Sequence, residues 1–289
     1  NCTCCIQKTE RKTRTGKRQI AFFSLIIKRN YYIMDMVILM LALITGASSG
    51  IGRDMARVLS EMGYDLILVA RRKTKLQALK KELNTNVECI VMDISTTFNC
   101  MELYQEVKDK EIDIVINNAG FGLFGEFSDT NLDKELDMID LNIKSVHTLT
   151  KLFLKDFKKR DKGYILNVAS SAAFLPGPLM ATYYATKAYV LRLTEAIHEE
   201  LRKEKSHVYI GALCPGPVNT EFNKVAKVSF QLKGLESRDV AEYAVKKMFY
   251  RKMVIIPGIT MKLSKFFTRF IPDSILLKVA YQIQNKKRD

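Results

Sequence analysis

Tyr183 and Lys187 stand four residues apart in a stretch, Thr182 to Lys203, whose pattern reads as a helix, so both side chains leave the same face. A free phenol has a pKa of about 10 and is a poor acid or base at neutral pH. An ammonium held nearby stabilises the phenolate, and a shift of roughly three units takes about 4 kcal/mol of differential interaction. Ser170 comes thirteen residues before Tyr183, at the end of the apolar run Gly163–Val168, where a hydroxyl could polarise a carbonyl. A lone Tyr-x-x-x-Lys is more often an ordinary amphipathic helix. Here that reading has also to account for Ser170 and for a glycine-rich stretch far upstream. Tyr184 and Tyr189 have Ala188 and Leu193 at the same offset and read as packing residues.

That upstream stretch is Thr45-Gly46-Ala47-Ser48-Ser49-Gly50-Ile51-Gly52. The apolar run Met36–Ile44 before it reads as a buried strand. Ile51, Met55, Val58, Leu59 and Met62 after it keep helical spacing. Strand, glycine turn and helix together make a cradle for a pyrophosphate: glycines let the backbone approach, and the helix N-terminus aims unpaired N–H groups at the anion. The spacing is Gly-x-x-x-Gly-x-Gly rather than the commoner Gly-x-Gly-x-x-Gly. The second strand, Asp65–Ala70, runs into Arg71, Arg72 and Lys73 with no acid to accept from a ribose 2′-hydroxyl. Two guanidiniums suit a phosphate, and cations at a helix start oppose its dipole, so the cluster wants an anionic partner. NADP is expected over NAD. Asp93, closing the third strand, reads equally as a contact for an adenine amino group or as a turn or N-cap acid.

Strands at Val87–Met92, Ile112–Ile116, Gly163–Val168, His207–Leu213 and Met253–Ile256 alternate with helices at Lys73–Leu83, Phe98–Lys108, Leu132–Phe157, Thr182–Lys203 and Ser237–Tyr250. This predicts an α/β, Rossmann-like, doubly wound parallel sheet of about seven strands in a single domain over residues 36–258, with ligands at the carboxyl ends of the strands. Residues 1–35 form a basic leader, read either as an anchor or transit segment or, preferred, as upstream sequence extraneous to the protein, with Met34, Met36 or Met40 as the start. The net charge is +15, of which +9 belongs to residues 40–289, suiting an anionic cofactor or membrane surface. Nucleic acid is not expected, because no basic and aromatic interleaving of a reader type occurs. Six scattered cysteines and three distant histidines imply neither a disulfide framework nor a metal site. Residues 259–289 form an amphipathic extension that could cover a pocket, pair with another subunit or lie on a membrane.

The chain resembles the short-chain dehydrogenase/reductase family across about residues 40–256. The motifs carrying the likeness are Thr45–Gly52, Asn117-Asn118-Ala119-Gly120, Leu141-Asn142, Ser170, Tyr183-Tyr-Ala-Thr-Lys187 and Pro215-Gly216-Pro-Val218-Asn-Thr220, in the family's order. The resemblance implies that Tyr183 is the general acid/base and that Lys187 lowers its pKa and binds the nicotinamide ribose. It implies that Ser170 orients the substrate carbonyl and Asn142 holds a relay water. Gly46, Ser48, Ser49, Gly50, Ile51 and Gly52 would bind the cofactor, with Asn118, Ala119 and Gly120 beside it. The segment of Pro215, Gly216, Val218 and Thr220 would hold the carboxamide. Arg71 matches the family's usual phosphate-binding position, and Ser49 stands where relatives carry a cation before Gly50, leaving the grip to Arg71 and Arg72.

The expected protein is an NADP(H)-dependent oxidoreductase acting on a carbonyl or secondary alcohol, in the reducing direction because cellular NADPH is kept reduced. It would be cytoplasmic, a homodimer or homotetramer, with peripheral membrane contact through the extension as an option. Phe121, Leu123, Phe124, Phe174, Leu175, Met180 and Phe222 are candidates for an apolar pocket wall, with core packing as the alternative for each, and Glu221–Lys233 is a candidate lid. A non-catalytic NADP-binding regulator and a nucleotide-sugar epimerase or dehydratase are the rival readings; the intact catalytic set speaks against the first and the short C-terminal region against the second.

Overall fold

A computed structural model describes residues 40–226, 234–268 and 270–285. The expected leader and residues 227–233 of the expected lid lie outside these. The first half runs β1 (Leu41–Thr45), α1 (Gly50–Glu61), β2 (Asp65–Ala70), α2 (Lys73–Glu82), β3 (Val87–Val91), α3 (Thr97–Val107) and β4 (Ile112–Asn117). There follow α4 (Leu132–Ile139), α5 (Val146–Arg160), β5 (Tyr164–Val168), α6 (Ala181–Lys203) and β6 (Tyr209–Leu213). A two-strand ribbon of β7 (Val218–Asn219) and β8 (Leu235–Glu236) flanks α7 (Phe222–Ala226). The chain continues through α8 (Ser237–Phe249), β9 (Val254–Ile255), α9 (Ile259–Phe267) and α10 (Asp273–Asn285).

Seven parallel strands form one sheet in the order β3-β2-β1-β4-β5-β6-β9. The order reverses between β1 and β4, where doubly wound sheets bind ligands at the strands' carboxyl ends. Side chains alternate across the pleat as period 2 requires. Ala42, Ile44, Leu66 and Leu68 pack toward Met55 and Leu59 of α1 and Val245 of α8, whereas Leu43, Ile67 and Val69 pack toward Leu103 of α3 and Phe153 of α5. Burial on both faces explains why these strands read as unbroken apolar runs.

Two elements differ from the sequence reading. The single helix expected over Leu132–Phe157 is interrupted by a π-helical turn at Asp140–Ser145 between α4 and α5, and it runs on to Arg160. The wider turn carries Asn142 into the interior, where its side chain is wholly buried, and π-turns inside helices recur at functional positions. The amphipathic extension, to which the sequence reading assigned no internal break, forms two helices separated around Pro272, since a proline disfavours helical conformation in the residue before it.

A buried amide network ties the sheet's centre to the helices. Asn117 Nδ2 on β4 donates to Asn167 Oδ1 (2.8 Å) on β5 and to Thr150 Oγ1 (3.1 Å) on α5. Asn167 Nδ2 donates to Thr194 Oγ1 (3.0 Å) on α6, and Thr150 donates back to Asn167 Oδ1 (3.2 Å). Asn167 is fully buried, so removing its amide leaves partners on three elements without water to replace it. Asn167→Ala is therefore expected to destabilise the fold by about 2–4 kcal/mol, read from urea unfolding against the parent protein.

Candidate active site

At the carboxyl ends of the strands lies a cleft of about 730 Å³. Its floor is the turn after β1. Gly46 has φ +66°, and a side chain there would press on Ala119 Cα at 2.8 Å; one at Gly52 would overlap the Asn118 amide. Asn118 in turn donates through Nδ2 to the carbonyls of Thr45 (3.0 Å) and Gly46 (3.2 Å), and the Thr45 hydroxyl accepts from the backbone of Asn118 (3.0 Å) and Ala119 (3.1 Å). These bonds staple the ends of β1 and β4 and hold the turn open toward the cleft. Ser49, the N-cap of α1, makes no side-chain cap and the first turn carries no acid, so the helix start is left electropositive. An elongated cleft floored by a side-chain-free turn and a helix N-terminus, with guanidiniums at one end, fits a dinucleotide.

The two arginines at the end of β2 part company. Arg71 is largely exposed and its Nη1 lies 3.4 Å from Asp93 Oδ2. Arg72 bends over the turn, donating to Ser48 Oγ (2.8 Å), Ser49 Oγ (2.7 Å) and Glu221 Oε2 (2.6 Å). Lys75 also pairs with Glu221, and together they hold its carboxyl down to about 2. Asp93 accepts from the Ser95 backbone (3.1 Å), the turn role, and also reaches the cleft wall.

At the other end Ser170, Tyr183 and Lys187 share one wall. Tyr183 and Lys187 both lie on α6 and are buried to 9% and 5% exposure. Lys187 Nζ donates to the Val168 carbonyl (2.9 Å) at the end of β5 and lies 5.9 Å from the centre of the Tyr183 ring. Burial pulls the Lys187 ammonium down to about 8. Burial likewise pushes the Tyr183 phenol up to about 12, against a hydrogen bond from its partner Ser170 and with Tyr184 adding to the rise. Desolvation thus outweighs the lowering by the Ser170 hydrogen bond.

Asn142 is not on the wall. Its Oδ1 accepts from Phe121 N (3.1 Å), and its Nδ2 donates to Phe121 O (2.9 Å) and Thr186 Oγ1 (3.1 Å). Both amide hydrogens are spent clamping the loop after β4 to α6. Gly120 passes between Asn142 and Lys187; a side chain there would lie 2.7 Å from Asn142 Oδ1 and 3.4 Å from Lys187 Nζ. Gly52 is the other expected site residue behind the wall. The remainder do line it, namely Gly46, Ser48, Ser49, Gly50, Ile51, Arg71, Arg72, Asp93, Asn118, Ala119, Gly120, Pro215, Gly216, Val218 and Thr220.

Of the apolar candidates, Phe121, Leu175, Met180 and Phe222 reach the cleft. Leu123 and Phe124 pack behind them around Met138, and Phe174 packs beneath Lys265. The sequence reading missed Tyr184, which is no mere packing residue: it lines the cleft and its hydroxyl accepts from Gln284 of α10. It missed Glu221 as a partner of Arg72, and Met261, Ala280, Ile283 and Gln284 as wall residues. No local pattern announces contacts between residues a hundred positions apart; only the amphipathic character of the extension hinted at them.

The sheet order and the glycine turn at its switch point define a dinucleotide-binding α/β protein, and the Ser, Tyr and Lys wall narrows the class. Residues 40–228 match the family model for short chain dehydrogenases. An uncharacterized oxidoreductase of Staphylococcus epidermidis is 31% identical over 223 residues, 76% of this chain and 96% of that one. The human very-long-chain 3-oxoacyl-CoA reductase is 33% identical over 196 residues, covering 64% of this chain and 62% of its own. A short-chain dehydrogenase from Sphingobium yanoikuyae, solved in complex with NADPH, superposes with a TM-score of 0.72 at 32% identity, over 76% of this chain and 89% of the other. This chain belongs to the short-chain dehydrogenase/reductase family of oxidoreductases, which use a nicotinamide cofactor.

A buried lysine makes stability depend on pH. Below about pH 8 Lys187 is charged in both folded and unfolded chains, and the full cost of burial applies. Between about 8 and 10.5 the folded chain has lost the proton while the unfolded chain keeps it, so stability gains with rising pH. The unfolding free energy of the parent relative to Lys187→Met should climb by about 3 kcal/mol over that window, measured by urea titrations at stepped pH.

Proposed function

We propose that the protein is an NADPH-dependent reductase of an apolar ketone, with Tyr183 as the proton donor. The observation that carries this reading is the pairing of Tyr183 with Ser170 on a wall that also holds Lys187. NADPH, when bound, supplies the hydride that reaches the carbonyl carbon. Ser170 holds the carbonyl oxygen by its hydroxyl, and Tyr183 passes its phenolic proton to that oxygen as the C=O bond becomes a C–OH. Lys187 then stabilises the phenolate until it is reprotonated. The reducing direction rests on the NADPH preference, since cellular NADPH is kept reduced.

The choice of NADPH rests on the absence of an acid after β2 and on Arg72, whose guanidinium is already held over the turn by two serine hydroxyls. The neighbour solved with NADPH agrees with it. The apolar substrate rests on Leu175, Met180, Phe222, Met261 and Ile283 at the catalytic end of the cleft. Asn142 acts as a positioning residue for the loop and for α6.

With a panel of ketones and NADPH, Tyr183→Phe is expected to lose about 10²–10⁴-fold in kcat/KM while NADPH binding by fluorescence stays within a few-fold; unchanged turnover would remove Tyr183 from the chemistry. Arg72→Ala should weaken NADPH binding by about 10–100-fold and leave NADH nearly unchanged. Glu221→Gln, which returns the whole guanidinium to the cofactor, should tighten NADPH alone. Equal losses for both cofactors in Arg72→Ala would assign that residue a structural role instead.

A further inference from the structure

The outer face of the C-terminal helices gathers many of the exposed large apolar side chains of the described residues. None of the nine residues of α9 is buried. Ile259 is 74% exposed, Phe266 56%, Phe267 57% and Phe270 70%. Phe266 stacks edge-on against Phe267 (5.5 Å between ring centres) and Phe270 (5.3 Å), and all three rings are exposed. Ile275 and Val279 of α10 are about half exposed as well. Soluble proteins rarely leave so contiguous an apolar surface uncovered.

The charge around this surface says what covers it. In sequence, residues 259–289 hold seven Lys and Arg against Asp273 and Asp289, and of these Lys262, Lys265 and Lys278 stand on the described helices. Lys262 and Lys265 adjoin the phenylalanines in sequence, and their ammoniums lie 5.3 Å and 4.7 Å from the ring centres of Tyr243 and Phe174. An anionic bilayer meets both features at once: the rings enter the headgroup and acyl boundary while the ammoniums meet phosphates. We propose that α9 and α10 are a docking face for an anionic phospholipid membrane. The helices are too short and too basic to cross one; among the described residues no helix is long and apolar enough to span a bilayer. Docking would place the lipid against the two helices whose inner sides, through Met261 and Ile283, wall the cleft.

The test is cosedimentation of the full chain with phosphatidylcholine vesicles, with and without about 30 mol % phosphatidylserine. The parent should bind the anionic vesicles at least about tenfold more than the neutral ones and be released by high salt. Phe266→Glu together with Phe267→Glu should lose about tenfold or more of that binding while keeping the parent's circular dichroism and NADPH affinity. A second variant, Lys262→Gln with Lys265→Gln, should lose the preference for phosphatidylserine. Absence of binding to anionic vesicles, or binding unaltered by the aromatic pair, overturns the proposal. So does a parent dimer that the aromatic pair splits into monomers in sedimentation equilibrium, since the face would then belong to a second copy.

Discussion

An ammonium buried one helical turn from a buried phenol sets the terms for everything around it. Taking such a group out of water is tolerable only where it is hydrogen-bonded. Lys187 finds the Val168 carbonyl, available because β5 ends there and the chain turns away toward Ser170. The edge of the cleft beside it is a backbone without side chain at Gly120, and behind that lies Asn142. The lysine's neighbourhood is thus built from the ends of two strands, one helix and one π-turn, each contributing backbone or amide groups rather than counter-charges. Among the described contacts no carboxylate touches Lys187, and its ammonium is held by the Val168 carbonyl.

The π-turn is the device that reconciles a long surface helix with an interior amide. A regular helix through residues 132–160 would keep one face on the protein throughout. The extra residue per turn at Asp140–Ser145 brings Asn142 inward, where it bonds both the N–H and the C=O of Phe121 and reaches Thr186. Thr186 donates to the Tyr183 carbonyl (2.7 Å) one turn before it. One side chain thereby registers the loop after β4 against the helix that carries the tyrosine and the lysine.

Beyond this rigid centre the cleft is closed by pieces from far along the chain. Glu221 joins the segment after β7 to Arg72 and Lys75, spanning the phosphate end. Gln284, buried to 2%, joins α10 to Tyr184 at the substrate end. The two ends of the cleft are held by different physics. An exposed ion-pair cluster is weakened by salt and competes with any phosphate. The α10 contact is a buried hydrogen bond with apolar neighbours, which salt hardly affects.

The sequence determined the strands, their buried two-faced character, the glycine turn and the helical offset of Tyr183 and Lys187, because each depends on neighbours within a few residues. It also carried the family likeness and the arginine pair Arg71 and Arg72, of which the structure bends only Arg72 over the turn. Tertiary structure alone decided three things. The Asp140–Ser145 turn departs from a helix that its own pattern supports, since the gain comes from bonds to Phe121 and Thr186. Burial raises the Tyr183 phenol, because desolvation depends on how many atoms surround a group and not on which residue lies four positions on. And Glu221, Tyr184 and Gln284 entered the cleft through contacts spanning a hundred residues or more, which the fold must close before the chain shows them.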